Sequence, residues 1–163
     1  MKIVYKNVDS SSLSILDQWI IDKNSDMVKF AMFDYSFSSY DKLLKEDKID
    51  SEIYITKAVY VDDILLGYLA LCYFKENEKN TISINLIVIN PKYHNNGYGK
   101  LILNDLIKNN KKIINIDVDI FNATISITNI SSIKLFESLN FTKKGNVNDS
   151  FQDYCLEKWI NIF

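Results

Sequence analysis

The run Asn90-Pro91-Lys92-Tyr93-His94-Asn95-Asn96-Gly97-Tyr98-Gly99-Lys100 holds the residues best suited to chemistry. Two of the chain's four glycines and its single proline fall inside it. Glycine has no Cβ, so the backbone amides around it can approach a ligand closely. An apolar strand precedes the run and an amphipathic helix follows. A helix beginning at Gly97 or Tyr98 turns its first, unpaired N–H groups and the positive end of its dipole toward the loop. Strand, loop and helix N-terminus in that order make a site for a diphosphate. A glycine pair alone reads as an ordinary tight loop, and two familiar phosphate motifs do not fit. The P-loop ends Gly-Lys-Ser/Thr, whereas Lys100 is followed by Leu101. The dinucleotide fingerprint needs a third glycine, which Gly97-Tyr98-Gly99-Lys100-Leu101-Ile102 lacks.

Other reactive side chains are scattered. His94 is the only histidine and could titrate near neutral pH. Beside a phosphate its protonation would add an attractive charge, but the expected contribution is from its backbone, with an incidental side chain. Asp117 and Asp119 share one face of an expected strand by the two-residue period, most simply as a solvated edge. Cys72 and Cys155 each sit in an apolar run and read as buried thiols. Neither a metal-ligand spacing nor a Ser/His/Asp constellation is apparent, so no metal is expected.

These residues must be positioned by regular elements. Residues 2–8 predict a strand. Ser10, Ser11 and Ser12 offer N-caps for a helix carrying Leu13, Leu16, Trp19, Ile20 and Met27. A short helix is expected around Leu43 and Leu44. Residues 53–61, 65–74 and 81–89 read as three antiparallel strands, joined by turns at Asp62-Asp63 and at residues 77–80. Leu101, Leu103, Leu106 and Ile107 suit a helix running to about Asn109. Residues 113–120 predict a strand, extended further by Ile125 and Ile127. Residues 131–139 predict a second helix, and Phe141 with residues 151–159 predict closing strands. The order gives a mixed α/β fold around one central, mostly antiparallel sheet.

Composition sets the outer limits. At 163 residues the chain suits a single domain spanning residues 1–163, and 47% apolar residues argue against disorder. Its net charge is -2 with no basic stripe, so nucleic acid is not an expected partner. After Met1-Lys2-Ile3-Val4-Tyr5 the sequence turns polar, without a signal-peptide core, and no apolar run suffices to span a membrane. A cytoplasmic protein is expected.

The full loop resembles the acetyl-coenzyme A loop of the GNAT superfamily of N-acetyltransferases: an apolar strand, a proline, Arg or Gln, two residues, Gly, any residue, then Gly or Ala. Pro91, His94, Gly97 and Gly99 fall at matching offsets, with His94 in the place of Arg or Gln. Asn129-Ile130-Ser131-Ser132-Ile133-Lys134-Leu135-Phe136-Glu137-Ser138-Leu139-Asn140-Phe141 resembles the family's second signature, an Asn, then Ser or Ala, then a helix ending Leu-Gly-Phe. Asn140 replaces that glycine and is the next-best residue for a left-handed cap. Gly67 and Gly145 also sit where the family often has glycine. The resemblance covers roughly residues 58–158 and implies a GNAT-like sheet with helices on both faces.

It further implies that acetyl-coenzyme A is the co-substrate. Its diphosphate would lie on the amides of His94, Asn95, Asn96, Gly97, Tyr98, Gly99 and Lys100, and its pantetheine arm on backbone groups of Ile87 and Ile89. Asn129 is implied as a contact to that arm, with Ser132 beside it. The family often protonates the leaving thiolate from a tyrosine where this chain has Phe136. Tyr154 and Tyr98 are candidate substitutes. The strand carboxylate often used as base is missing, since Ser83 and Asn85 stand there. Asp119 is a weak candidate, and Asp26, Asp34 and Tyr35 fall in the region that shapes the family's acceptor pocket. The implied activity is direct acetylation of a primary amine, with a small molecule favoured. Acetylation of a peptide N-terminus, as in the ribosomal-protein branch, and a non-catalytic coenzyme A-binding module stay open as alternatives. Homodimers are common among such proteins and stay open here.

Overall fold

The computed structural model describes residues 1–20, 29–30, 36–46 and 51–158. Expectations resting on Asp26, Met27, Asp34, Tyr35 and Trp159 lie outside the described residues. The chain runs through β1 (Ile3–Asn7), α1 (Ser10–Asp17), α2 (Phe37–Glu46), β2 (Ile53–Val61), β3 (Ile64–Glu76) and β4 (Lys79–Ile89). A 3-10 turn (Pro91–Tyr93), α3 (Tyr98–Ile114), β5 (Ile120–Ser126), α4 (Ile130–Glu137), β6 (Thr142–Asn148) and β7 (Phe151–Glu157) follow. Seven strands form one sheet in the order β1-β2-β3-β4-β5-β7-β6, antiparallel except between β4 and β5.

Three hairpins share one turn chemistry without glycine. Asp62-Asp63, Asn77-Glu78 and Asp149-Ser150 all hold positive φ, between 46° and 69°. Positive φ at both central residues matches the right-handed twist of the flanking strands, and Asn and Asp tolerate it best after glycine.

The helices differ from expectation at their ends. Asp9, rather than the three serines, caps α1: its carboxylate accepts the Ser12 N–H at 2.7 Å while the Ser12 hydroxyl accepts the Asp9 N–H. The helix stops at Asp17, whose carboxylate then accepts the Phe37 N–H at 2.7 Å and caps α2. The expected end of α3 near Asn109 is a kink, with φ -118° and ψ 22° there, and the helix resumes to Ile114. Buried Asn110 accepts the Val118 N–H and donates to the Ile107 carbonyl, tying the linker back to the helix. The strand expected at 113–120 therefore begins at Ile120, because Ile114 is needed in the core beneath α3. At the end of α4, Asn140 takes the left-handed φ of 66° expected of it, and the Phe141 N–H reaches back to the Phe136 carbonyl.

Apolar clusters cover both faces of the sheet. One joins Ile102, Leu103 and Leu106 of α3 and Phe136 of α4 to Leu69, Leu71, Ile82 and Ile84. The other joins Leu16, Phe37 and Leu44 around α1 and α2 to Tyr68, Ala70, Leu86 and Val88. No helix among the described residues is long and apolar enough to cross a membrane.

Candidate functional site

A β-bulge in β4 creates the site. Leu71 pairs with Ile84 and Ala70 with Leu86, so Asn85 is the extra residue. One extra residue inverts the pleat. Before it the even residues Ile82 and Ile84 face α3 and α4; after it the odd residues Ile87 and Ile89 do. The backbone parity inverts too. The Asn90 N–H bonds Leu66 of β3, so the alternate groups of Ile87 and Ile89 turn toward β5.

They find no strand there. The parallel β4–β5 ladder covers just Thr81 to Ser83 against Ile120 to Asn122. Beyond it the strands part, and the gap is a cavity of about 570 Å³ lined by Ile84 to Ile89 on one side and Ala123 to Ser126 on the other. Open strand edges inside a protein demand a hydrogen-bonding partner. Here a ligand can supply it.

At one end of the gap stands the loop. Asn95 and Gly97 take positive φ of 61° and 79°. Alternating backbone handedness swings successive N–H groups toward a common side. The N–H groups of residues 95–100 have no partner among the described residues, while the Leu101 N–H opens the helical ladder by bonding Gly97. Added carbon at Gly97 would meet nothing within 4 Å, so its glycine is required by φ alone. Gly99 differs: a Cβ there would lie 3.2 Å from Leu135 of α4, so its bareness serves helix packing. Gly67 likewise admits Ile102, which would lie 3.1 Å from an added Cβ. Donors without partners beside an open strand edge fit a group with a diphosphate and an amide-bearing arm.

The structure thus brings Ile87, Ile89, His94, Asn95, Gly99, Asn129 and Ser132 to one cavity wall. Asn96, Gly97 and Tyr98 adjoin it through the loop backbone, and Lys100 turns to a separate groove with Lys108 and Lys158. Asn129 caps α4, its Oδ1 accepting the Ser132 N–H at 3.2 Å, which leaves its amide N–H groups for other partners. The His94 side chain is not incidental: Nε2 lies 2.8 Å from the Ile89 carbonyl. A carbonyl accepts only, so Nε2 carries the proton and the ring ties the loop to the strand end.

Two candidates fall elsewhere. Tyr154 is 1% exposed and packed in the core, where burial and then the Glu137 carboxylate push its phenol upward. It does not line the cavity. Asp119 precedes β5 at the far end of the β4–β5 ladder, where its carboxylate accepts the Asn80 N–H at 2.8 Å. Tyr98 packs edge-on against Tyr93, 6.0 Å between centroids. Phe136 does line the cavity, held edge-on by Phe141 at 5.0 Å.

Sequence reasoning missed the opposite wall. Thr124 and Ser126 line the cavity, and Lys29 and Phe30 join from the segment before α2. Thr124 Oγ1 donates to Asp153 Oδ1 at 2.6 Å. The alternation Asn122-Ala123-Thr124-Ile125-Ser126 held the signal, since polar residues recur every second position. Placing the strand at 113–120 hid it. Among the described residues no carboxylate lines the cavity and no cluster could hold a metal ion.

A family model described as the acetyltransferase (GNAT) family matches residues 16–141. No curated protein sequence matches the chain. Among solved structures, Campylobacter jejuni N-acetyltransferase PseH in complex with acetyl coenzyme A is 17% identical, with TM-score 0.65 over 97% of this chain and 100% of that one. Vibrio cholerae spermidine N-acetyltransferase in complex with CoA and spermine is 14% identical, with TM-score 0.69 over 95% of each chain. The Escherichia coli ribosomal-protein-S18-alanine N-acetyltransferase is 15% identical, with TM-score 0.61 over 99% of each. At these identities the likeness is one of fold.

Proposed function

The chain belongs to the GNAT acetyltransferase family, and from that premise we propose that it is an acetyl-coenzyme A-dependent N-acetyltransferase acting on a primary amine, its 163 residues a single catalytic domain. One observation carries the reading: unpartnered N–H groups at residues 95–100 stand at the end of a gap where β4 has no strand partner on its β5 side and, among the described residues, only the Ile89 carbonyl is taken, by His94. The coenzyme supplies an activated acetyl thioester. The chain supplies the rest. Loop amides hold the diphosphate, the Ile87 and Ile89 backbone aligns the arm, and the Asn129 amide donates to it. Holding both reactants in one gap removes the entropy of their encounter, an effect of about 7–11 kcal/mol at best. Backbone N–H groups along the open edge can stabilise the oxyanion as it forms.

The amine is best matched as a small molecule entering from the face opposite α3 and α4. The described wall there offers hydroxyls, amides and Lys29 rather than carboxylates, which argues against a polycation as acceptor. A peptide N-terminus is the second reading, supported by β6, exposed along its whole length beside β7. Calorimetric titration with acetyl-coenzyme A tests the proposal. Micromolar binding by the native chain, weakened about a hundredfold in Gly97→Val, is expected; no binding by the native chain would refute it.

A further inference from the structure

The acceptor side needs a route for the proton that an ammonium must lose before it can attack. We propose that Thr124 and Asp153 form that route, with Thr124 a catalytic residue and Asp153 the positioning residue behind it. The inference rests on the acetyltransferase reading above.

Three features of the pair support it. Thr124 lines the cavity on β5, alternating with the core residues Ala123 and Ile125, so its hydroxyl lies on the sheet face opposite α3 and α4. Its Oγ1 proton is committed to Asp153 at 2.6 Å, which leaves oxygen lone pairs to accept from a donor in the cavity. Asp153 sits directly across the β5–β7 ladder from Thr124 and is exposed to solvent. Among the described residues it is the one carboxylate hydrogen-bonded to a side chain of the cavity wall.

The neighbouring groups do not compete for it. Lys144 of β6 stands opposite Asp153 in the β6–β7 ladder but forms no ion pair with it among the described residues. Cys155 lies two residues along β7, and Asn122 and Ser126 flank Thr124 on β5. On β4 Asn85 lines the same cavity, Ser83 stands opposite Asn122 in the ladder, and among the described residues Lys29 is the lysine in the cavity wall. None of these is a carboxylate.

An N–H bond of the bound ammonium breaks and its proton passes to Thr124 Oγ1, while the Thr124 hydroxyl proton passes to Asp153 Oδ1. The amine lone pair forms the C–N bond at the thioester carbonyl, and the C–S bond breaks with its electron pair leaving on sulfur. The second nitrogen proton neutralises that thiolate through water. Asp153 returns its proton to solvent, which its exposure permits.

The test compares the full chain with Thr124→Val, Thr124→Ser and Asp153→Asn, using ethylamine as acceptor probe. Calorimetry first measures acetyl-coenzyme A binding, and thiol release is then followed from about pH 6 to 10. We expect binding unchanged, release slowed at least about tenfold near pH 7 in the Val and Asn variants, and rescue by Ser. The deficit should narrow toward pH 10, where a far larger share of the amine is already free than at pH 7, an alkylammonium having a pKa of ~10.4. Equal rates at pH 7, a deficit independent of pH, or no release by a native chain that binds acetyl-coenzyme A would each overturn the proposal. Failure of the native chain to bind would instead overturn the donor-site reading beneath it.

Discussion

The two walls of the β4–β5 cavity are built from different materials. The β4 wall and its loop offer backbone: a strand edge left without a neighbouring strand after the Asn85 bulge, and the free N–H groups of residues 95–100. The β5 wall offers side chains: Thr124, Ser126 and, behind them, Asp153. Backbone recognition depends on conformation, so it is sensitive to φ and indifferent to most side chains. Side-chain chemistry depends on which strand pairs with which. Donor binding and acceptor chemistry should accordingly come apart under mutation.

Gly97→Val should separate them most. A β-branched residue held at φ 79° costs about 1–3 kcal/mol, which the loop can relieve by abandoning its arrangement. Calorimetry should show acetyl-coenzyme A binding weakened about a hundredfold, roughly 2.7 kcal/mol. Asp153→Asn should do the reverse, with turnover down about tenfold at neutral pH and binding within about twofold of native. Weakened binding there would mean that the two walls act as one functional unit.

Smaller changes sharpen the donor wall. His94→Leu removes the hydrogen bond to Ile89, worth about 1 kcal/mol, so the dissociation constant should rise about fivefold. His94→Gln retains an N–H donor and should stay near native. Gly99→Ala sets a methyl 3.2 Å from Leu135 and should cost about 1 kcal/mol of stability by urea titration, with binding affected less than by Gly97→Val.

The smallest effect tests the scaffold that both walls share. Burial, then the Glu52 carboxylate, pushes the Cys72 thiol up to about 11, and burial raises the Tyr5 and Tyr68 phenols. The unfolded chain starts releasing the thiol proton near 9.0 while the folded chain keeps it, so stability holds below that pH and declines as pH climbs toward 11. The urea midpoint should be lower at about pH 10.5 than at about pH 8. An unchanged midpoint would mean these groups are less buried than the sheet implies.

Much of the donor wall was legible in the sequence because its signals are local. Gly97 needs a left-handed φ, Asn140 caps a helix, and Asp62-Asp63 and Asn77-Glu78 turn hairpins, each within a few residues of its cause. The acceptor wall was not. Thr124 and Asp153 are 29 positions apart and meet only because β5 pairs with β7. The misplaced strand at 113–120 had the same origin, since Ile113 and Ile114 suit a strand or the last turn of α3 equally. Buried Asn110 and the core beneath the helix decided between them.

Local backbone preference and motif spacing were enough to read the order of elements, the turns, the glycine-bearing loop and the family from the sequence alone. The tertiary structure decided where the sheet opens. A single extra residue at Asn85 inverts the pleat against β3, and a ladder of three residue pairs to β5 ends where that inversion begins. Register between distant strands is fixed by burial on two faces at once, which no single segment encodes.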